Sequence, residues 1–237
     1  MNPLIIGHRG ASAIAPENTM AAFREAIAAG ADGIEFDVRL TRDGVPVVIH
    51  DRTLHRTSRL PHRIADLTWA ELQQVDQTVP SLDELLTLFE TNELLMYLEI
   101  KCDSPSERLP LAEACCKLID QHSLKQRVIV GTFDLLVLKV VRNIDSEIKT
   151  AASFELGIST TAPLSDQRIL DKAASVDASA LALYHRLARK GLVEKAKLAG
   201  LWVAVWTVDD PVWVERCRAL GIDALITNNP AVMLAAR

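Results

Sequence analysis

The sequence predicts an α/β fold, a (β/α)8 barrel of the TIM type. Short apolar runs alternate with longer amphipathic stretches along the chain, and eight such runs fit within its 237 residues. Eight strand–helix units in about 250 residues are typical of this barrel. A doubly wound open sheet is the alternative, but His8-Arg9-Gly10 after the first run is not the G-x-G-x-x-G phosphate loop of that fold.

Each predicted strand is a short run of apolar and β-branched residues. The predicted strands cover residues 4–8, 33–38, 95–101, 127–133, 149–154, 180–184, 202–207 and 224–227. The stretches with helical periodicity cover residues 18–29, 81–91, 106–122, 135–143, 167–175, 188–198 and 212–220. No linker or change of composition divides the chain, so we expect residues 1–237 to form a single domain.

One further strand-like run, at residues 45–50, breaks the alternation because only a short turn separates it from the second strand. Parallel strands need a crossover of about a dozen residues, so this run must be antiparallel to its predecessor. Asp43-Gly44 is a strong signal for a two-residue hairpin turn. Counting back from that turn places His50 opposite Asp37, which predicts that the hairpin brings His50 back to the C-terminal mouth of the barrel.

The segment after the hairpin, residues 51–79, is polar and irregular. Thr68 and Glu71 have capping-box spacing and predict a short helix there. With the hairpin, this segment forms a predicted insertion over about residues 41–80. We expect it at the C-terminal mouth, where barrels of this type carry their active sites.

Composition excludes several classes of protein. The net charge is −5 and no long basic block is present, which argues against nucleic-acid binding. No stretch reaches about 18 apolar residues, so no stable membrane insertion is expected. The four cysteines lack zinc-ligand spacing and are expected to be free thiols in a reducing compartment. These features predict a cytoplasmic protein, while its oligomeric state stays open.

Four charged residues interrupt two of the predicted strands, namely Glu35 and Asp37 in the second and Glu99 and Lys101 in the third. Alternate residues of a strand share a face and lie about 6.5–7 Å apart, so each pair points the same way. Buried charges are costly unless they pair or bind a metal. One interpretation is therefore a salt-bridge network inside the barrel, and the other is a cation site.

The residues that accompany these charges in the sequence favour the cation site. His8 and Arg9 end the first strand, so all of these groups fall at the C-terminal end of the barrel. Carboxylates without cysteine suit a hard cation, Mg²⁺ or Ca²⁺, with Mn²⁺ as a third candidate. Arg9 and Lys101 are suited to neutralise a phosphate. Together with two histidines, this set is typical of phosphoryl transfer. Trp206 ends an apolar strand, and its side chain is equally well interpreted as part of the core or as a wall of a substrate pocket.

At these positions the chain resembles the glycerophosphodiester phosphodiesterase family. The resemblance spans nearly the whole sequence in the right order. The matching motifs are His8-Arg9-Gly10, Pro16-Glu17-Asn18-Thr19, Glu35-Phe36-Asp37-Val38, Thr41-x-Asp43-Gly44, His50-Asp51, Glu99-Ile100-Lys101, Trp206-Thr207-Val208 and Ile226-Thr227-Asn228.

The resemblance implies a role for each candidate residue. It implies one divalent cation held by Glu35, Asp37 and Glu99, a general acid/base pair formed by His8 and His50, and substrate or phosphate contacts from Arg9, Lys101, Trp206 and Asn228.

The implied reaction is hydrolysis of a small-molecule glycerophosphodiester to sn-glycerol 3-phosphate and an alcohol. The stretch before Pro80-Ser81-Leu82 is shorter than is common in this family, which implies a more open mouth. That difference suggests one alternative, a lysophospholipase D that accepts a long acyl chain. A non-catalytic barrel that only binds a phosphodiester is the other. Which histidine is the base, and whether a cyclic phosphate forms, stay open at this point.

Overall fold

A closed barrel of eight parallel strands forms the centre of the molecule. The computed structural model describes residues 2–156 and 164–237. The strands are β1 (Leu4–His8), β2 (Gly33–Leu40), β3 (Pro46–Val48), β4 (Leu95–Ile100), β5 (Val128–Thr132), β6 (Lys149–Phe154), β7 (Ala180–Tyr184), β8 (Trp202–Trp206) and β9 (Ala224–Thr227). The sheet order is β1-β9-β8-β7-β6-β5-β4-β2-β3, and β1 also pairs with β2, which closes the barrel and leaves β3 outside it. The predicted (β/α)8 barrel is confirmed.

Helices pack around the barrel and also occur in the insertion. They are α1 (Met20–Ala28), α2 (His55–Ser58), α3 (Trp69–Val75), α4 (Leu82–Phe89), α5 (Arg108–Gln121), α6 (Leu135–Ile144), α7 (Asp166–Ala174), α8 (Lys190–Leu198), α9 (Val212–Leu220) and α10 (Pro230–Ala235). The seven predicted helices correspond to α1 and α4–α9, with ends that differ by up to two residues. The capping box of Thr68 and Glu71 begins α3 as predicted. Helices α2 and α10 were not predicted, although Pro230 after the Asn229 cap is a signal for α10.

The hairpin forms as predicted, but its predicted register is wrong by one residue. Val38 lies opposite Val48, and the Ile49 amide donates to the Asp37 carbonyl over 2.9 Å, so Ile49 and not His50 faces Asp37. The loop holds three residues and ends with Gly44 at a φ of +83°. A type I turn followed by a left-handed residue is the usual three-residue hairpin loop, and it adds the extra position.

The insertion has a hydrophobic core of its own. Its six buried apolar residues are Val47, Ile49, Leu54, Ile64, Leu72 and Val79. The insertion is joined to the barrel through main-chain bonds, including the one of 2.9 Å from the Ile49 amide to the Asp37 carbonyl of β2. Because β2 continues to Leu40, beyond its last β4 partner at Val38, the hairpin stands beyond the end of the barrel wall, as predicted.

Inside the barrel, one large side chain is packed among smaller ones. Tyr97 on β4 is fully buried, and its hydroxyl lies 3.2 Å from the Ser153 hydroxyl across the barrel. A Cβ at Gly131 would overlap the phenol ring of Tyr97. Glycine at position 131 therefore makes the room that the tyrosine needs beneath the mouth.

Replacing Gly131 by alanine is expected to lower the free energy of unfolding by about 1–3 kcal/mol, because the added methyl group overpacks the interior. Urea denaturation followed by circular dichroism measures the effect. Gly191→Ala is the matched control, since its new Cβ meets only Asp166 at an ordinary 3.6 Å and lies in α8. That variant is expected to be neutral or slightly stabilised. Equal losses in both variants would contradict the overpacking explanation.

Candidate active site

Three carboxylates meet at the C-terminal end of β2 and β4. The two strands are parallel neighbours, and their register places Asp37 directly beside Glu99, with Glu35 two residues earlier on the same face. Each residue offers one oxygen atom, and these atoms all lie within 4.8 Å of one another. The strand periodicity thus produces the predicted cluster.

Burial sets the protonation of this cluster. Burial, together with the charge of Asp37, raises the pKa of Glu35 to about 8. Burial and the charges of Asp37 and Glu35 raise the pKa of Glu99 to about 7, although Lys101 opposes them. Burial also acts on Asp37, but Lys101 and Arg9 outweigh it and lower the pKa of Asp37 to about 2. Near neutral pH and without a cation, Glu35 is therefore mostly protonated and Glu99 is partly protonated.

Two cations flank Asp37 from opposite neighbouring elements. The Lys101 ammonium lies 3.3 Å from Asp37 Oδ1 and also contacts Glu99. Arg9 Nε lies 3.2 Å from Asp37 Oδ2, and the same arginine donates to Glu17 over 2.7 Å. The Asn18 amide adds a 2.9 Å hydrogen bond to Asp37. The salt-bridge network considered above is thus present, and it surrounds the carboxylate cluster.

His8 is oriented by a chain of polar groups at the ends of β1, β8 and β9. Its Nδ1 donates to Asn228 Oδ1 over 2.7 Å, and its Nε2 lies 3.9 Å from Glu35. The Asn228 amide nitrogen donates to Asp209 over 2.6 Å, and this acceptor fixes which side of the amide faces His8. The His8 ring therefore presents Nε2 to the cluster. Burial and the charge of Arg9 lower the pKa of His8.

His50 reaches the same mouth from the insertion. It follows the end of β3, so strand alternation does not fix its direction, and its carbonyl accepts from Arg39 over 2.7 Å. Its Nδ1 donates to Asp51 over 2.6 Å, and Asp51 accepts from Arg56. Burial lowers the pKa of His50, with Asp37 opposing it. The predicted return of His50 to the carboxylates is confirmed despite the corrected register.

A cavity of about 350 Å³ opens over these groups. Both histidines, Arg9, Lys101, Glu35 and Glu99 line it. Its aromatic wall is formed by Trp206 and Phe133, whose rings meet edge to face with centroids 5.4 Å apart. Trp206 also packs on Tyr184 at 5.6 Å. The Trp206 ring therefore packs on neighbouring aromatics and also borders the cavity, and its contact with substrate stays a prediction.

The structure adds Asp209 to the residues found by sequence reasoning. This carboxylate follows β8 and accepts from the Asn228 amide and from the Thr227 hydroxyl. Its place just beyond a barrel strand is the signal that could have found it.

The three-carboxylate cluster fits a hard divalent cation. Oxygen donors are what Mg²⁺ and Ca²⁺ prefer, and the crowding of three buried acids is relieved when a cation replaces their protons. The fold and the site together define a class, an α/β barrel with an acidic cation site and two histidines at its C-terminal mouth.

The comparisons with known proteins identify the family within that class. The model of the glycerophosphoryl diester phosphodiesterase family matches residues 8–232, and the chain belongs to this family. It is 32% identical to a glycerophosphodiester phosphodiesterase of Caldanaerobacter subterraneus, over 99% of this chain and 97% of the relative.

Solved structures agree with this assignment. A glycerophosphodiester phosphodiesterase of Thermotoga maritima superposes with a TM-score of 0.83 at 28% identity, over 100% of this chain and 99% of that one. A phosphodiesterase of Oleispira antarctica, in complex with the product sn-glycerol-3-phosphate, superposes with a TM-score of 0.87 at 26% identity, over 99% and 96% of the two chains. In the described part of this chain, none of the helices has the length and apolar character to cross a membrane.

Proposed function

We propose that this protein hydrolyses glycerophosphodiesters to sn-glycerol 3-phosphate and an alcohol, with a divalent cation and a pair of histidines. The observation that carries the proposal is the placement of two imidazoles beside a buried three-carboxylate cluster. The Oleispira relative with bound sn-glycerol-3-phosphate supports the product. A pure binding barrel would have no use for two acid/base groups over one cavity.

Glu35, Asp37 and Glu99 would hold the cation, Mg²⁺ or Ca²⁺ with Mn²⁺ as a third candidate. When bound, the cation supplies Lewis-acid polarisation of the phosphoryl oxygens. Arg9 and Lys101 stand beside the cluster and neutralise the negative charge of the phosphate. Trp206 borders the organic part of the substrate. Asn228, expected from the resemblance to contact substrate, acts in this proposal through its hydrogen bond to His8.

The two histidines move the protons. Both donate through Nδ1 to a protein oxygen, which leaves the Nε2 atom of each ring available for proton transfer. One Nε2 removes the proton from the attacking hydroxyl group, which forms the new P–O bond. The other gives a proton to the departing alcohol oxygen as the old P–O bond breaks. The attacking group is either water or a glycerol hydroxyl of the substrate, and the second case passes through a cyclic phosphate.

Removal of divalent cations tests the proposal. EDTA is expected to abolish release of sn-glycerol 3-phosphate from glycerophosphocholine, and Mg²⁺, Ca²⁺ or Mn²⁺ added back in turn is expected to restore it. A coupled assay for sn-glycerol 3-phosphate measures the rate. Full activity in EDTA would refute the requirement for a divalent cation. No release of sn-glycerol 3-phosphate under any condition would refute the proposed substrate.

Parallel reactions with lysophosphatidylcholine test the alternative substrate. The open groove beside His50 is lined by arginines, and an acyl chain prefers an apolar wall. We therefore expect glycerophosphocholine to be the better substrate. A higher kcat/KM for lysophosphatidylcholine would favour the lysophospholipase D.

Asn228→Ala is expected to lower kcat by about 10–100-fold with little change in KM, because the His8 ring loses the partner that fixes its orientation. Steady-state kinetics with glycerophosphocholine separates the two constants. Asn143→Ala, at an exposed position on α6, is the control. A rise in KM at constant kcat would instead assign Asn228 to substrate binding.

A further inference from the structure

An open groove of about 720 Å³ runs from the active-site mouth along the insertion. His50 lines both this groove and the catalytic cavity, so the two spaces meet at that residue. Four arginines line the groove: Arg39, Arg52, Arg56 and Arg59. All come from β2 or from the insertion, and three of them lie within nine residues of His50 in the sequence.

The charges of this groove are not balanced. Arg39 contacts Asp103 at 2.6 Å, but the same carboxylate is shared with Arg52 at 3.6 Å and with Arg63 at 3.7 Å. Arg59 has no ion pair with any residue that the structure describes. Three arginines therefore share the one carboxylate of Asp103, and Arg59 adds a further positive charge. This local excess of positive charge occurs in a chain whose net charge is −5.

Arg56 lines the same groove, but its charge is used in ion pairs within the protein. Its guanidinium donates to Asp51 and to Glu17 at 2.6 and 2.7 Å, so its charge is neutralised by two carboxylates. Arg52 differs, because its side chain is 63% exposed and its one carboxylate partner is shared. Arg52 and Arg59 are thus free to bind an anion that enters the groove.

A phosphodiester in the active site has two organic arms, and the two spaces offer one place for each. A phosphorus atom placed between His8 and His50 would let one arm enter the inner cavity beside Trp206 and the other enter the groove. The inner cavity offers hydroxyl-binding groups such as Ser153 and Glu155, which suit glycerol. The groove offers guanidinium forks, which match phosphate.

We propose that this groove binds a second phosphate group, carried on the alcohol arm of the substrate. The preferred substrates are then glycerophosphodiesters whose alcohol is itself phosphorylated. This inference rests on the proposed function, since it assigns the alcohol side of the same site.

A matched pair of diesters tests the inference. One is sn-glycero-3-phospho-1,3-propanediol. The other is the same compound with a phosphate ester on the free hydroxyl of its propanediol part. We expect the phosphorylated diester to have a kcat/KM about tenfold higher or more, and this preference to shrink as salt screens the arginines. In the double variant R52Q/R59Q, the ratio of the two kcat/KM values is expected to fall about tenfold. Arg168→Gln, on α7 across the barrel, is the control and is expected to keep the wild-type ratio.

The outcomes separate the two proposals. No release of sn-glycerol 3-phosphate from either diester refutes the proposed function. Turnover of both with a ratio near one, or a ratio that R52Q/R59Q leaves unchanged, refutes the anion-binding groove alone. Sedimentation with phosphatidylglycerol vesicles tests whether the arginines bind a lipid surface instead. Loss of vesicle binding in R52Q/R59Q with an unchanged substrate ratio would assign the arginines to a lipid surface and overturn the inference.

Discussion

Replacing either His8 or His50 by glutamine is expected to lower kcat by about 10²–10⁴-fold, the usual contribution of a positioned acid or base. Glutamine keeps the hydrogen-bonding capacity and a bulk similar to that of histidine, but it does not take up or release protons near neutral pH. KM should change far less, because the cations at Arg9 and Lys101 are untouched. Release of sn-glycerol 3-phosphate from glycerophosphocholine measures both constants.

The control for these variants is His62→Gln, an exposed histidine of the same insertion. It should behave as the wild type. The double variant His8→Gln/His50→Gln should lose little more than the worse single variant, because groups that act as a unit are not additive. Near-normal kcat in either single variant would remove that histidine from the mechanism.

Glu35→Gln is expected to have opposite effects on activity and on stability. Loss of one anionic ligand should weaken cation binding and lower kcat/KM by about 10²–10⁴-fold, equal to several kcal/mol of lost stabilisation. The cation-free protein, however, should become more stable at neutral to alkaline pH. The amide oxygen of glutamine can still accept the hydrogen bond from the Arg9 main chain.

The sign of the stability change follows from the raised pKa values. Folded cation-free protein holds protons on Glu35 and Glu99 up to about pH 8 and 7, whereas the unfolded chain loses them near 4.5. Its free energy of unfolding should therefore fall as pH rises from about 4.5 to 8, and Glu35→Gln should flatten that fall. Asp37 acts in a separate window, because its pKa lies below the usual value.

Urea denaturation in EDTA at several pH values measures this slope, with and without added cation. Glu113→Gln, at an exposed position on α5, is the matched control and should leave both the slope and the cation effect unchanged. A Glu35→Gln protein that loses stability at pH 8 in EDTA would contradict the crowding of the three acids.

Local periodicity was enough to predict the centre of the site. Glu35, Asp37 and Glu99 lie inside strands, where the two-residue repeat fixes the facing side and parallel neighbours bring equivalent ends together. The hairpin showed the limit of such counting. A loop of three residues instead of two shifts every pair by one, and the Asp43-Gly44 signal does not distinguish the two loops.

Interactions between distant strands could not be predicted in this way. His8 and Asn228 are 220 positions apart and meet only because β9 pairs with β1 as the barrel closes. Asp209 is linked to them through the end of β8, so its part in orienting His8 is invisible until strand order is known. Most arginines of the groove lie in the irregular segment after the hairpin, which has no periodicity to place their side chains.

The separate hydrophobic core of the insertion has a consequence for evolution. Its buried residues pack mainly on one another, and its links to the barrel include main-chain bonds that most side chains permit. Surface positions such as Arg52 and Arg59 can therefore drift without penalty to the barrel or to the acidic cluster. A descendant could acquire a new choice of alcohol by mutation in this one module, while the phosphate chemistry is inherited intact.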